Sequence, residues 1–274
     1  HGFVGKAMDD GFTKNVEKLI IDPKYGNSLN DIKGFEPHLC FVCVPTPMAD
    51  DGTQDSNIIE ETIIGLKALC PESIVCVKSP VLPSILEKLT YVNQNLIYNP
   101  EFLREKYANE DFINSKLIIF GGNKATSKKV SKFYNDHSKC SCKNHIFLDT
   151  KTASLAKYTI NTYLATKVIF LNEIHEIFKE HKSDDEWLDF TNALTKDERF
   201  GQSHNDVPGP DGRFGFGGAC FPKDSLALIS YAKEKDIDLN VLKAVVKKNN
   251  KIRSQYKDLD SREIEQNISY DDKI

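Results

Sequence analysis

The sequence predicts an α/β protein in which a doubly wound parallel sheet is followed by a long helix and a small all-helical region. Three observations carry this. Up to about residue 150, short β-rich runs alternate with charged, helix-like stretches, and near-continuous apolar strands alternating with helices belong to a sheet covered on both faces. From Thr152 onward such runs stop, and apolar residues recur at helical spacing instead. The chain has 274 residues, 40% hydrophobic and 28% charged, enough for a real core and about two domains.

The elements follow in order. Gly2-Phe-Val-Gly5 fits the last four positions of G-x-G-x-x-G, the Rossmann-type motif whose glycines let backbone approach a pyrophosphate at a helix N-terminus. The first glycine of that motif and its preceding strand are missing, so the sequence begins inside the motif. Runs of strand character are then expected at Lys18–Asp22, Leu39–Pro45, Ser73–Lys78, Leu96–Tyr98, Lys116–Gly121 and His145–Leu148. Asp22 closes the first of these, seventeen residues after Gly5. Two readings stand there: a carboxylate that accepts from an adenosine ribose, favouring NAD over NADP, or a plain Asp22-Pro23 turn.

Leu155, Tyr158, Thr162, Ala165, Ile169 and Ile177 predict one long helix. Lys157 and Asn161, four apart, share a face of it and could turn a cation and an amide toward one atom, or could both be solvated. An acidic segment at Ser183–Glu186 follows, then a Gly- and Pro-rich loop from Gly201 to Gly218, helices near Ser225–Glu234 and Val241–Arg253, and a polar, poorly ordered tail after Gln255. The division expected is residues 1–150, 151–256 and a tail at 257–274.

With 36 Lys and Arg against 40 Asp and Glu, there is no cationic excess to hold nucleic acid. The longest uncharged apolar runs are far short of a bilayer span, so no membrane partner is expected. Seven cysteines, an odd number scattered through the chain, suit reduced thiols in the cytoplasm. Cys40, Cys43 and Cys76 sit in apolar strand runs and read as small core residues. Cys220 differs: it follows a glycine run, with Lys223 and Asp224 just beyond at a helix start, a setting that lowers a thiol's pKa and raises its nucleophilicity. His137, Cys140, Cys142 and His145 are too closely spaced for tetrahedral zinc and read as a polar loop, and no metal is expected.

Four segments occurring in one order, Pro45-Thr46-Pro47, Asn99-Pro-Glu-Phe-Leu-Arg-Glu105, Ala156-Lys-Tyr-Thr-Ile-Asn161 and Gly215-Phe-Gly-Gly-Ala-Cys-Phe-Pro-Lys-Asp224, resemble the UDP-glucose/GDP-mannose dehydrogenase family over about residues 1 to 250. The resemblance implies NAD as cofactor and a four-electron oxidation of a nucleotide sugar at C6. It implies Cys220 as the nucleophile that captures the aldehyde, Glu101 and Asp224 around the hydrolytic water, and Lys157 and Asn161 stabilising the charged oxygen. Gly2, Phe3, Val4, Gly5, Asp22, Pro45, Thr46, Lys78, Ser79, Glu105 and Lys223 are implied on the cofactor side, and Phe102, Leu103, Arg199, Phe216 and Gly217 on the substrate side. Arg199 aligns with an arginine that in relatives reaches a neighbouring subunit's sugar site, which implies a homodimer through the long helix.

The chain resembles the family's short members, without a C-terminal nucleotide-binding domain. Pro80 stands where many relatives have threonine, removing a hydroxyl and a backbone donor. The loop Ser203–Gly212, with His204 in it and Arg213 just after it, is expected to replace some contacts of that third domain. UDP-glucose is the substrate expected. The rivals are GDP-mannose or a UDP-N-acetylhexosamine, a silent nucleotide-sugar-binding remnant, and a two-electron hydroxyacid dehydrogenase that needs no thiol.

Overall fold

In the computed structural model, which describes residues 2–13, 15–182 and 184–271, five strands lie side by side in chain order: β1 (Leu39–Val42), β2 (Ile74–Val77), β3 (Leu96–Tyr98), β4 (Ile119–Gly122) and β5 (Ile146–Leu148). Helices connect them: α2 (Asn57–Leu69), α3 (Pro83–Val92), the short α4 (Ala108–Ile113) and α5 (Lys124–His137), with α1 (Phe3–Gly11) ahead of the sheet. Each start has a local cause. Pro83 opens α3, where its fixed φ suits the first turn and its missing N–H is not needed. The Asn123 side chain accepts from Ala125 N and Thr126 N to cap α5.

The sheet is parallel except at β3 and β4, which pair antiparallel through Ile97 with Gly122 and Tyr98 with Gly121. This corrects the all-parallel expectation. Between them α4 packs on α1, with the Phe112 ring over Gly11 where an added Cβ would fall 2.3 Å from it. The connection therefore stays at the end of the sheet where β3 finished and re-enters from there, whereas a parallel pair needs a crossover to the opposite end.

A second correction concerns residues 18–22, which form no strand. The Asn27 side chain takes their backbone groups instead, accepting from Asp22 N at 2.6 Å and donating to Ile20 O at 2.8 Å. Local side-chain bonds of this kind compete directly with a ladder. Leu19 and Ile20 stay exposed, so no burial rewards pairing.

Beneath the sheet the core holds Cys76, Ile97, Phe120 and Tyr134. Phe12 meets Phe41, Phe112, Phe133 and Tyr134 at centroid distances of 5.1 to 5.9 Å, the spacing at which aromatic pairs add about 0.5–1.5 kcal/mol beyond area burial.

The long helix is α6 (Thr150–Glu180), 31 residues without Gly or Pro. Asp149 holds its start by accepting from the Thr152 amide and hydroxyl at 2.9 and 2.6 Å, bonds that keep the Asp149 carboxyl below the usual range. Then come α7 (Trp187–Leu194), α8 (Phe221–Lys233), α9 (Asn240–Arg253) and α10 (Ser261–Glu265). Of the acidic segment, Ser183 lies outside the described residues.

The chain forms two compact units, one of His1–Thr46 with Asp55–Lys157 and one of Pro47–Gln54 with Tyr158–Ile274. The first contains the sheet. Its cut falls inside α6 because the opening turns of that helix pack on the sheet: Ser154 Oγ donates to Val81 O at 2.6 Å. The second unit is helical. It includes residues 47–54 because Met48 enters a core with Leu226, Ile229, Leu242 and Val246.

The tail expected to be loose is instead built into the helical unit. Met48 N donates to Gln266 O at 3.1 Å, Ile268 is buried, and Asp260 with Glu263 makes a reciprocal capping box on α10.

Candidate active site

In the helical unit, Cys220 sits half-buried at the N-cap of α8, with a proline in the first turn and Asp224 N bonded back to Cys220 O at 2.9 Å. Directly inside the helix lies a buried polar group. Asp224, 1% exposed, accepts from Lys223 Nζ at 2.6 Å on one oxygen and from Asn161 Nδ2 at 2.6 Å on the other. Both partners are buried as well, so the carboxylate is removed from water only with a cation and an amide in place. Three expected site residues are thus brought together, with one bond from the Asn161 amide to Asp224.

The glycine loop ahead of Cys220 is fixed by residues that sequence reasoning missed. Gly215 N donates to Asn172 Oδ1 at 3.0 Å, Phe216 N to Asn249 Oδ1 at 2.7 Å and Gly218 N to Glu263 Oε1 at 3.0 Å. Gly217 has no room for a side chain, since a Cβ there would meet Arg253 Nη2 at 2.1 Å. Arg253 is itself buried, paired with Asp211 at 2.7 Å and with the fully buried Glu263 at 3.2 Å. A signal existed in the sequence: Asn249, Asn250 and Arg253 interrupt the polar-out pattern of α9 by standing on its buried side.

The expected roles of His204 and Arg213 meet two different surroundings. The His204 ring lies 5.2 Å from that of Phe221, next to Cys220 in sequence. Arg213 is bound to Asp258 through its carboxylate at 2.6 Å and its carbonyl at 2.8 Å. That engagement ties the arginine to the tail rather than presenting it to a ligand.

In the sheet unit, Lys78, Asn99 and Tyr134 form a buried network. Lys78 Nζ donates to Asn99 Oδ1 at 2.8 Å, and the Tyr134 hydroxyl donates to the same oxygen at 2.8 Å. Burial pushes the Lys78 pKa down, against Cys76, Cys43 and Glu101, which favour its charge. Lys78, Asn99, Glu101, Phe102, Leu103 and Tyr134 line one cavity. Glu101 is nearly buried and accepts from Leu103 N at 2.6 Å, while Lys157 Nζ, also buried, stands 5.2 Å over the Phe102 ring.

At the ends of β1 and β2, Thr46 Oγ1 donates to Pro80 O at 3.0 Å and Ser79 Oγ to Val44 O at 2.6 Å. Pro80 thus keeps an accepting carbonyl that ties the two connections together, and Pro45 is exposed beside them.

Gly2 is the N-cap of α1, with Phe3, Val4 and Gly5 in its first turn. Among the described residues no side chain caps it and no acidic residue stands in that turn, a setting that suits a phosphate. Asp22 accepts from Lys24 N at 2.9 Å and caps the 3-10 turn Pro23–Tyr25. Glu105 begins an exposed 3-10 turn. Arg199 is exposed and paired with Asp197 at 2.5 Å.

The thiols divide by environment. Burial pushes Cys40, Cys43 and Cys76 up to about 12, and it raises Cys140 as well. Burial thus disfavours the thiolate form at all four. In the polar loop, His145 Nδ1 meets Ser131 Oγ at 2.8 Å and its Nε2 meets Cys142 O at 3.2 Å.

Comparison with known proteins bears on both units. Residues 11–137 match the UDP-glucose/GDP-mannose dehydrogenase family, NAD binding domain, and residues 151–251 match the same family's central domain. The chain is 33% identical over 233 residues to a UDP-glucose 6-dehydrogenase of Rickettsia felis, covering 82% of this chain and 49% of that protein. Among solved structures, a UDP-glucose dehydrogenase from Pyrobaculum islandicum aligns with a TM-score of 0.65 at 29% identity, covering 78% of this chain and 50% of the other. A UDP-D-ManNAc dehydrogenase from Pyrococcus horikoshii aligns at 0.70 and 18% identity over 93% of this chain and 68% of the other, a likeness of fold. The chain spans about half the length of the first two of these.

Proposed function

This chain belongs to the UDP-glucose/GDP-mannose dehydrogenase family, and from that premise we propose that it takes part in NAD-dependent oxidation of a nucleotide sugar, with UDP-glucose to UDP-glucuronate as the reaction. One observation carries the proposal: a half-buried cysteine at the start of α8, the helix whose first turn carries a buried Lys223–Asp224 pair bonded to Asn161, in a chain where burial disfavours the thiolate of the strand cysteines.

The dinucleotide would be held by the start of α1 at Gly2–Gly5 and by Thr46, Ser79 and the neighbouring strand ends, with Asp22, Lys78, Glu105 and Lys223 as further contacts. When bound, NAD supplies the hydride acceptor for each of two oxidations. The C6 alcohol loses a proton and a hydride to give the aldehyde. The Cys220 thiolate adds to the aldehyde carbon, and the oxygen takes up a proton to give a thiohemiacetal, a carbon from which a second hydride can depart. Loss of that hydride and the hydroxyl proton leaves a thioester. Water, deprotonated through Glu101 or Asp224, attacks the thioester carbon and expels the thiolate, leaving the carboxylate. Lys157 and Asn161 stabilise the oxygen while it carries charge. Phe102, Leu103, Phe216 and Gly217 are assigned to the sugar side.

We assign the functional form to a homodimer. On α6 the side chains of Tyr163, Phe170 and Ile177, seven residues apart, are 61%, 54% and 57% exposed, an apolar row of the sort two helices cover mutually. Arg199 would then reach the neighbouring copy.

The test is stoichiometry. The wild-type chain should form two NADH per UDP-glucose consumed, in preference to GDP-mannose and UDP-N-acetylhexosamines, and Cys220→Ser should form no UDP-glucuronate. A serine variant that still yields two NADH per sugar removes the covalent route.

A further inference from the structure

Glu263 lies beyond residue 251, where the family match ends, and yet it is fully buried. Its Oε2 has a local task, accepting from Asp260 N at 2.9 Å in the capping box of α10. Its Oε1 does something that a five-residue helix does not need: it accepts from Gly218 N at 3.0 Å, Arg253 Nη2 at 3.2 Å and the Tyr270 hydroxyl at 2.5 Å. Burial alone would push this carboxyl up, but the bonds from Tyr270, Asp260 and Gly218, with the Arg253 charge, hold it below the usual glutamate range. It is therefore a carboxylate, and its bond to Gly218 is charge-assisted.

Gly218 stands two residues before Cys220 at φ +76, the left-handed region that turns the chain sharply. Arg253 fills the space beside Gly217 and reaches Asp211 on the other side of the loop, while Arg213 in that loop is bound to Asp258 in the tail. Two crossed ion pairs and two backbone N–H bonds, from Gly218 to Glu263 and from Phe214 to the Tyr256 hydroxyl at 3.1 Å, thus tie residues 211–218 to residues 253–270.

We propose that Glu263 is a positioning residue for Cys220, acting through Gly218: the tail is a clasp that fixes the approach and exposure of the thiol at the start of α8. The inference rests on the functional reading only for its consequence in turnover, since the geometry concerns the thiol itself.

The experiment measures alkylation of Cys220 by iodoacetamide under native conditions, followed by peptide mapping, beside thermal unfolding, for the wild type, Glu263→Gln and Tyr270→Phe. Glu263→Gln keeps an acceptor but removes the charge that holds Arg253 and Gly218 together. Release of the loop should speed alkylation of Cys220 by about tenfold, the scale of one charge-assisted bond, and Tyr270→Phe should speed it by a smaller factor. Cys142, in the other unit, should keep its rate in both. A Cys220 rate at or below that of the wild type in folded variants, whatever happens to their melting temperature, overturns the proposal and leaves Glu263 a stabilising residue only. Should Glu263→Gln fail to fold, Tyr270→Phe decides by the same two outcomes. Alkylation needs no substrate, so an inactive wild type with fast-alkylating variants would defeat the functional reading while upholding this one.

Discussion

Asp224 is the residue on which the helical unit's candidate site turns, because its two oxygens hold a cation and an amide in a place closed to water. Removing one member of a buried pair strands the other's charge, whereas replacing both by apolar groups of similar size is often neutral. Asp224→Ala should therefore cost about 3–5 kcal/mol in urea unfolding, and the double variant Lys223→Met with Asp224→Leu should recover most of it. A single variant no less stable than the double would show that the pair is not paying for its own burial. Lys223 and Asp224 were legible as a pair of functional types in the sequence. That they bind each other and share Asn161 was not, since the partner lies 63 positions away and spacing along a helix says nothing about what crosses to it. Cys220 was singled out by its polar, glycine-rich setting, and the strand thiols were set aside by their apolar neighbours. Burial agrees with that second reading, because it raises their pKa and disfavours the thiolate.

Among the elements, the apolar runs foretold five of the strands and shortened at their ends, while the run at residues 18–22 read as a sixth and is none. Strand character is a statement about fitting a pleated, half-buried surface. Where the flanking chain offers Asn27 and a turn instead, the same residues stay irregular. The reversal at β4 was likewise hidden, since apolar residues carry no direction. One element contact is tight enough to test. An added Cβ at Gly121 of β4 would stand 2.5 Å from Ala153 Cβ on the first turns of α6. Gly121→Val should cost about 1–3 kcal/mol through overpacking, read as a lowered melting temperature. Adding Ala153→Gly should return part of that loss. An unchanged melting temperature in the single variant would mean that helix and strand can move apart there.

At the scale of the whole molecule, the proposed dimer rests on the exposed apolar row of α6, and no helix among the described residues is long and apolar enough to cross a membrane. Phe170→Asp should convert a dimer to a monomer in sedimentation equilibrium with little change in the far-ultraviolet spectrum, because the side chain it replaces is 54% exposed. A wild-type chain that sediments as a monomer at tens of micromolar, or a variant that stays dimeric, would remove α6 as the interface. The sequence by itself determined the alternation of sheet and helices, the single long helix and the family. Each of these is written in local period or in contiguous motifs, which survive without knowledge of what packs on them. The tertiary structure alone decided the direction of β4, the order in the tail, and the clasp of Glu263 and Arg253 on the glycine loop. Those depend on groups far apart in the chain, and a polar residue's value is set by the partner that desolvation forces on it, which no local pattern records.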